Sequence, residues 1–260
     1  MTSSINFNKV IEAVKSTKDI VFDDELLSIV NIKGEADFVT AVDTNISQYL
    51  KKKLSIITPN IDFMSEEEEN EIKSIRWILD PIDGTTNLIY GYNISSVSLA
   101  LCVNEIIEFG VVYNPFNDDI YTAYKGKGAF FNGKRMPEAP NREFKRCIIE
   151  FGAGSTNKSA SKTSFEIAER VFNECLDLRR ICSSALSICY IAQGRINGYF
   201  EKRIKPWDYA AASLILDECG GKMSDWNGNN IQFKNATSCI FATPNAYEKL
   251  YRIIKEVCDE

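Results

Sequence analysis

The chain has no histidine among its 260 residues. That removes Ser-His-Asp and Cys-His catalysis, phosphohistidine chemistry and imidazole-built zinc sites. Acid–base work falls to carboxylates, hydroxyls, lysines or metal-activated water. No C-x-x-C pair occurs among the eight cysteines, and most of them sit between apolar neighbours. They read as free, buried thiols in a reducing compartment rather than as disulfides or a metal cluster. No apolar run approaches membrane-spanning length, and residues 1–21 lack an apolar signal core. The expectation is a cytoplasmic protein without a membrane partner. There is no basic run of the kind that binds nucleic acid, so no nucleic-acid partner is expected. No internal repeat or low-complexity tract interrupts the chain.

What is present is acidic and apolar. The net charge is -6, the pI about 5.0, and 45% of residues are hydrophobic. This is enough for a full core in one large domain or two closely packed lobes. An acidic protein that handles an anionic substrate must screen its own field, and bound cations are the usual device.

One segment concentrates the chemistry. Asp80-Pro81-Ile82-Asp83-Gly84-Thr85-Thr86-Asn87 follows the apolar Trp77-Ile78-Leu79, which reads as the end of a buried strand. Two carboxylates three residues apart meet a glycine turn and two hydroxyls. Gly84 permits close backbone approach, and Thr85 and Thr86 suit a helix start whose amides can face a phosphate. Carboxylates for a hard cation beside amides for a phosphate suggest metal-assisted ester hydrolysis. An Asp-Gly surface turn ahead of a capped helix is the plainer alternative.

The surrounding pattern gives an architecture. Residues 5–20 read as an amphipathic helix, residues 31–38 as a polar loop, Phe38–Val42 as a strand closed by Asp43, and the following residues through Leu50 as a helix. Ser96–Val103, Ile106–Tyr113 and Ile120–Tyr124 alternate as antiparallel strands. After about residue 145 strands and helices alternate: Cys147–Phe151, Ser164–Phe172, Leu178–Ile181, Ala185–Ala192, Ile196–Phe200 and Trp207–Cys219, the last closed by Gly220-Gly221. The first half is thus α+β with an antiparallel sheet and the second α/β. Residues 1–144 and 145–260 are expected as two tightly packed lobes with the site between them.

Three further features stand at element ends. Ser65-Glu66-Glu67 follows a strand-like stretch, whereas Glu68, Glu69 and Glu71 read as a solvated acidic loop. Asp43 and Asp208 could each be no more than a carboxylate favoured at a helix N-terminus.

Taken in order, these segments resemble the lithium-sensitive, magnesium-dependent inositol monophosphatase superfamily. Asp80–Asn87 is similar to its D-P-[IL]-D-G-T-x-[NEF] signature, Asp37–Asp43 to D-x-V-T-x-x-D, and Ser65-Glu66-Glu67 to its G-E-E or S-E-E. Trp207-Asp208-x-Ala-Ala with Gly220-Gly221 resembles the second signature. The likeness runs from about residue 5 to 255 and implies the layered αβαβα sandwich of the sugar phosphatases.

It also implies roles. Glu66, Asp80 and the carbonyl of Ile82 would hold one Mg²⁺, and Asp80, Asp83 and Asp208 a second. A third ion would lie near Glu66 and Glu67, making two to three in all. Asp43, Glu66 and Thr85 would be catalytic, with Thr85, bonded to Asp43, orienting a metal-activated water. Gly84 and Thr85 would hold the phosphate. Cys182, Ser183, Ser184 and Glu201 would join Asp83 in facing the substrate. Cys182 and Ser184 depart from the family's usual Gly-Ser/Thr-Ala-Ala, which narrows and polarises that wall. Lys202, Arg203 and Lys205 lie near Glu201 in sequence, either as a solvated strand end or as partners of a second phosphate. The implied activity is hydrolysis of small polyol or sugar monophosphates, inositol 1-phosphate foremost, by a homodimer. Fructose-1,6-bisphosphate or nucleotide phosphatase activity on the same fold, and a regulatory binding role that retains the fold, are the alternatives.

Overall fold

The computed structural model describes residues 5–34, 37–67, 72–154 and 161–259. The N-terminal amphipathic stretch does not form one helix. Helix α1 spans Phe7–Lys15 and α2 Lys18–Val21. The break falls where the Thr17 hydroxyl donates to the Val14 carbonyl at 2.6 Å, a local bond that competes with helix continuation. After α3 (Asp24–Leu27), residues 31–34 are not a loop. Strand β1 (Val30–Gly34) pairs antiparallel with β2 (Asp37–Thr40). The strand expected to reach Val42 ends at Thr40, and α4 runs Ala41–Ile57, beyond the expected end at Leu50. Thr40 and Asp43 form the reciprocal capping box that sets this start. Asp43 therefore lies inside the first helical turn rather than closing the strand.

A seven-stranded sheet follows, ordered β3-β4-β5-β6-β7-β8-β9. Its members are β3 (Asp62–Ser65), β4 (Ile75–Asp83), β5 (Ser96–Val103), β6 (Ile106–Asn114), β7 (Asp119–Tyr124), β8 (Gly128–Phe131) and β9 (Lys134–Arg135). Its pairings are antiparallel except β3 with β4, which run parallel. Between β4 and β5 lies the short helix α5 (Thr85–Ile89). The residues 68, 69 and 71 of the acidic loop lie outside the described residues.

The second sheet is mixed and ordered β11-β10-β12-β14-β13. It comprises β10 (Ile148–Phe151), β11 (Asp177–Arg179), β12 (Gly198–Ile204), β13 (Lys222–Ser224) and β14 (Thr237–Ala242). Its helices are α6 (Ser161–Phe172), α7 (Ser184–Gln193), α8 (Pro206–Asp217) and α9 (Pro244–Asp259).

These pieces stack in five layers. Helices α1 and α4 cover one face of the large sheet, α7 and α8 fill the space between the sheets, and α6 and α9 cover the outer face of the small sheet. Both faces of β5 are covered, so seven of its eight residues are buried without alternation. Helix α8 can lie directly on β6 because position 110 is glycine. A Cβ there would stand 2.6 Å from the Ala211 carbonyl oxygen. The middle layer is accordingly small-residue helix against sheet, with Ala210, Ala211 and Ala212 fully buried. Six of the eight cysteine thiols are buried or half-buried and all are free, while Cys182 and Cys258 are exposed. No helix among the described residues is long and apolar enough to cross a membrane.

Candidate active site

Two sheet irregularities aim the candidate residues. On β4, Asp80 pairs with Ser98 and Asp83 with Ser96, so three steps on one strand match two on its neighbour. Pro81, which has no N–H to give the ladder, sits inside this bulge. The strand expected to end at Leu79 thus continues to Asp83 with its carboxylates turned out of register. On β12 the same slip separates Glu201, paired with Cys239, from Ile204, paired with Thr237. It brings the chain to α8 and Asp208.

Gly84 then makes the sharp exit from β4 at φ +91°. A side chain there would be strained, and its Cβ would press to 3.1 Å on the carbonyl oxygens of Ile94 and Cys182. Asn87 locks this turn from the other side. Its amide nitrogen donates to the carbonyls of Ile94 at 2.7 Å and Ile181 at 2.6 Å. The last residue of the Asp80–Asn87 signature is thus a structural tie between α5 and the segment before α7.

Asp80 is 2% exposed, and its Oδ1 has no hydrogen-bond partner in the structure. Burial, and then the negative charges of Glu66, Asp83, Asp208 and Asp43, hold its carboxyl well above the usual range. Asp208, half-buried at the start of α8, is raised by burial and by Glu66, although Lys205 N–H donates to its Oδ2 at 2.8 Å. Glu66 follows β3, with its backbone N–H on the Leu79 carbonyl at 3.3 Å. Glu67 adds to the negative field at Asp43.

Asp83 is the most fully bonded of the group. Its Oδ2 accepts from Ser96 Oγ at 3.2 Å, from Ala185 N at 3.0 Å and from Ser183 Oγ, and its Oδ1 accepts from Ser184 N at 2.9 Å. It therefore seats the N-terminus of α7, where exposed amides favour a carboxylate. Burial nonetheless pushes it up to about 6 despite these donors. Asp43 is also raised to about 6, chiefly by burial. Its Oδ2 accepts from Thr40 N at 2.8 Å and Thr40 Oγ1 at 2.5 Å. Thr85 Oγ1 lies 3.1 Å from Asp43 Oδ1 and 3.0 Å from the Ile82 carbonyl.

The carboxylates fit a hard divalent cation. A buried, unpartnered oxygen on Asp80, the mutual repulsion of four neighbours and an all-oxygen donor set are what such an ion requires. Among the described residues no three of these groups yet converge tightly enough to form a closed cage.

Ser183, Ser184, Cys182 and Glu201 line one cavity of about 120 Å³ beside this cluster. Glu201 sits there because position 152 is glycine; a Cβ would fall 2.1 Å from the Glu201 carboxyl carbon. Tyr199 donates its hydroxyl to Glu201 Oε2 and lies 2.9 Å from Ser184 Oγ. Gly152, Tyr199 and the buried Glu150 are site-lining residues that the sequence did not single out. Their one legible trace is the strand periodicity that puts Tyr199 and Glu201 on a common face. Cys182 is exposed and holds φ +58°, a conformation that favours glycine. Lys202, Arg203 and Lys205 line a different groove with Trp226, Thr237 and Cys258. They do not border the Glu201 cavity.

The fold and this acidic site define a layered α/β protein of the sugar-phosphatase type. The sequence profile of the inositol monophosphatase family matches residues 4–259, and the chain belongs to that family. It is 36% identical over 201 residues to the Nus factor SuhB of Escherichia coli strain K12, covering 76% of this chain and 75% of that protein. The crystal structure of the extragenic suppressor protein suhB from Bartonella henselae superposes with a TM-score of 0.89 at 33% identity, covering 96% and 98% of the two chains. An IMPase/NADP phosphatase solved with Mg²⁺ and phosphate gives 0.84 at 25% identity, covering 94% and 92%.

Proposed function

We propose that this chain is a Mg²⁺-dependent phosphomonoesterase acting on small polyol or sugar monophosphates, with inositol 1-phosphate as the leading substrate. The observation that carries the reading is Asp80, buried with an orphaned oxygen amid Glu66, Asp83 and Asp208. Glu66, Glu67, Asp80, the Ile82 carbonyl, Asp83 and Asp208 would hold Mg²⁺. When bound, the cation would acidify water and neutralise the charge that develops on the phosphoryl group.

The chain's own residues supply the rest. Thr85 Oγ1, within reach of both Asp43 and the Ile82 carbonyl, positions the attacking water. Its proton passes through the hydroxyl toward Asp43 Oδ1. A carboxyl near 6 is well matched to act as a base close to neutral pH. The turn at Gly84 and Thr85 presents backbone amides to the phosphate. Residues 145–260 contribute Asp208 and the wall of Ser183, Ser184 and Glu201 that faces the alcohol.

The test is a panel of inositol 1-phosphate, fructose 1,6-bisphosphate, adenosine bisphosphate, NADP and p-nitrophenyl phosphate, assayed with Mg²⁺ and with chelator. Hydrolysis in chelator equal to that with Mg²⁺ would overturn the metal assignment. Preference for a bisphosphate or for NADP would move the assignment to the alternative substrates. A second reading, a regulatory binding protein that retains the fold, is supported by relatives that are Nus factors. Capture of the same purified partner by wild type and by hydrolytically inactive Asp208→Asn would separate that role from hydrolysis.

A further inference from the structure

The cavity beside Asp83 contains a second carboxyl that the phosphate chemistry does not use. Glu150 lies on β10, paired with Arg179 of β11 and Tyr199 of β12. Strand alternation puts its side chain on the sheet face of Tyr199 and Glu201, whereas Ile149, Phe151 and Phe200 pack into the core on the opposite face. It is 2% exposed. Its Oε2 accepts from Ser187 Oγ at 2.5 Å. A buried carboxyl is costly unless another group satisfies it. The cavity it lines, with Ser184, Ser187, Tyr199, Glu201 and Arg180, is the space left for that group.

Position and chemistry narrow the ligand. Ser183 and Ser184 line this cavity and also bond Asp83. The cavity is therefore continuous with the proposed phosphate end. Its volume of about 120 Å³ suits a few hydroxylated carbons rather than a nucleoside. Burial pushes the Glu150 carboxyl up to about 7. Near neutral pH it can then both donate and accept, which matches a hydroxyl better than an ammonium group.

We propose that Glu150 is a specificity-determining residue that pairs with Glu201 to bind neighbouring hydroxyls on the alcohol part of the substrate. This rests on the phosphomonoesterase reading above and adds which alcohols the site selects. Phosphates of polyhydroxylated alcohols are favoured because an alcohol part with no further hydroxyls gives the two carboxyls nothing to bond in the cavity.

The test is Glu150→Gln in the Mg²⁺-loaded full chain, with kcat and KM measured on inositol 1-phosphate, p-nitrophenyl phosphate and phosphoethanolamine. The expected result is a loss of about tenfold or more in kcat/KM on inositol 1-phosphate, mostly in KM, with p-nitrophenyl phosphate changed less than about twofold. Ser187→Ala frees the carboxyl without removing it and should keep the preference. If Glu150→Gln does not fold, Glu150→Met, neutral and of similar volume, takes its place. An equal fall on both substrates would mean that Glu150 only pins α7 to the sheet, and no change on either would mean that it faces no substrate; both overturn the proposal. A wild-type preference for phosphoethanolamine would also overturn it, by assigning the carboxyls to an ammonium. If wild type hydrolyses neither inositol 1-phosphate nor the aryl phosphate, the phosphomonoesterase reading itself fails and this proposal goes with it.

Discussion

Removing Mg²⁺ should make the protein lose stability as pH rises toward neutral. Asp43 and Asp83 are 1% and 6% exposed, and each carboxyl is raised from 3.8 to about 6, mainly by burial. A carboxyl whose folded value exceeds its unfolded value binds more protons when folded, so its contribution falls as pH rises between the two. The penalty is absent below the unfolded value and complete above the folded one. A shift of about 2 units corresponds to about 3 kcal/mol for each group at neutral pH. Roughly half of that develops between about pH 5 and about pH 7.5, so the pair should lose about 3 kcal/mol across this window. At about 2–4 °C per kcal/mol for a chain of this size, the melting temperature in chelator should drop by about 6–12 °C. Glu150, raised to about 7, adds a change of the same sign. Asp118, Glu143 and Asp177 are lowered instead, and their effect falls below the window. A cation favours the charged carboxylates, so the stabilisation that Mg²⁺ gives should grow with pH. Calorimetry at both pH values, in chelator and in saturating Mg²⁺, measures this directly. A melting temperature in chelator that stays flat or rises, or an Mg²⁺ increment equal at both pH values, would refute the reasoning.

Asp208→Asn should cut turnover by about a hundredfold or more, comparable to losing a major electrostatic stabiliser; near-normal steady-state rates would mean that Asp208 only caps α8, a role asparagine fills well. Thr85→Ala should lower kcat more than it raises KM, since its hydroxyl is proposed to act on the water in the transition state; a raised KM at unchanged kcat would make it a binding residue. Gly152→Ala should push the Glu201 carboxyl out of the space it now fills, weakening discrimination among polyol phosphates while sparing an aryl phosphate; an unchanged ranking across the panel would count against this wall. Cys182→Gly should relieve the positive φ at position 182, gaining up to about 1 kcal/mol before the offset from a freer unfolded chain. A urea midpoint lower than that of wild type would show that the cysteine side chain is needed there.

The sequence by itself determined an α+β first half with an antiparallel sheet and an α/β second half, through strand alternation in the one and strand–helix alternation in the other; the five-layer stacking was implied only by the family resemblance. It also picked out Asp80 and Asp83, carboxylates three residues apart at the Gly84 turn, and Glu66, Asp43 and Asp208 at element ends, the last two with a helix-terminus role as the plain alternative. Hydrophobic periodicity failed where a short-range side-chain bond overrode it. The Thr17 hydroxyl broke the first helix, and the Thr40–Asp43 capping box started α4 inside the expected strand. The hairpin of β1 and β2 occupied a stretch too polar to read as strand. Only the tertiary structure decided how the charges stand to one another. The two bulges on β4 and β12, set by pairing with β5 and β14, turn the carboxylates toward a common space. Only the fold could show that Asp83 seats α7 across 100 residues of chain, and that Asp80 is left with an oxygen unpaired. Glu150 was invisible for the same reason. A glutamate in an apolar strand gains its meaning from Ser187, Tyr199 and Glu201, and strand pairing and helix packing bring those together where no spacing along the chain can.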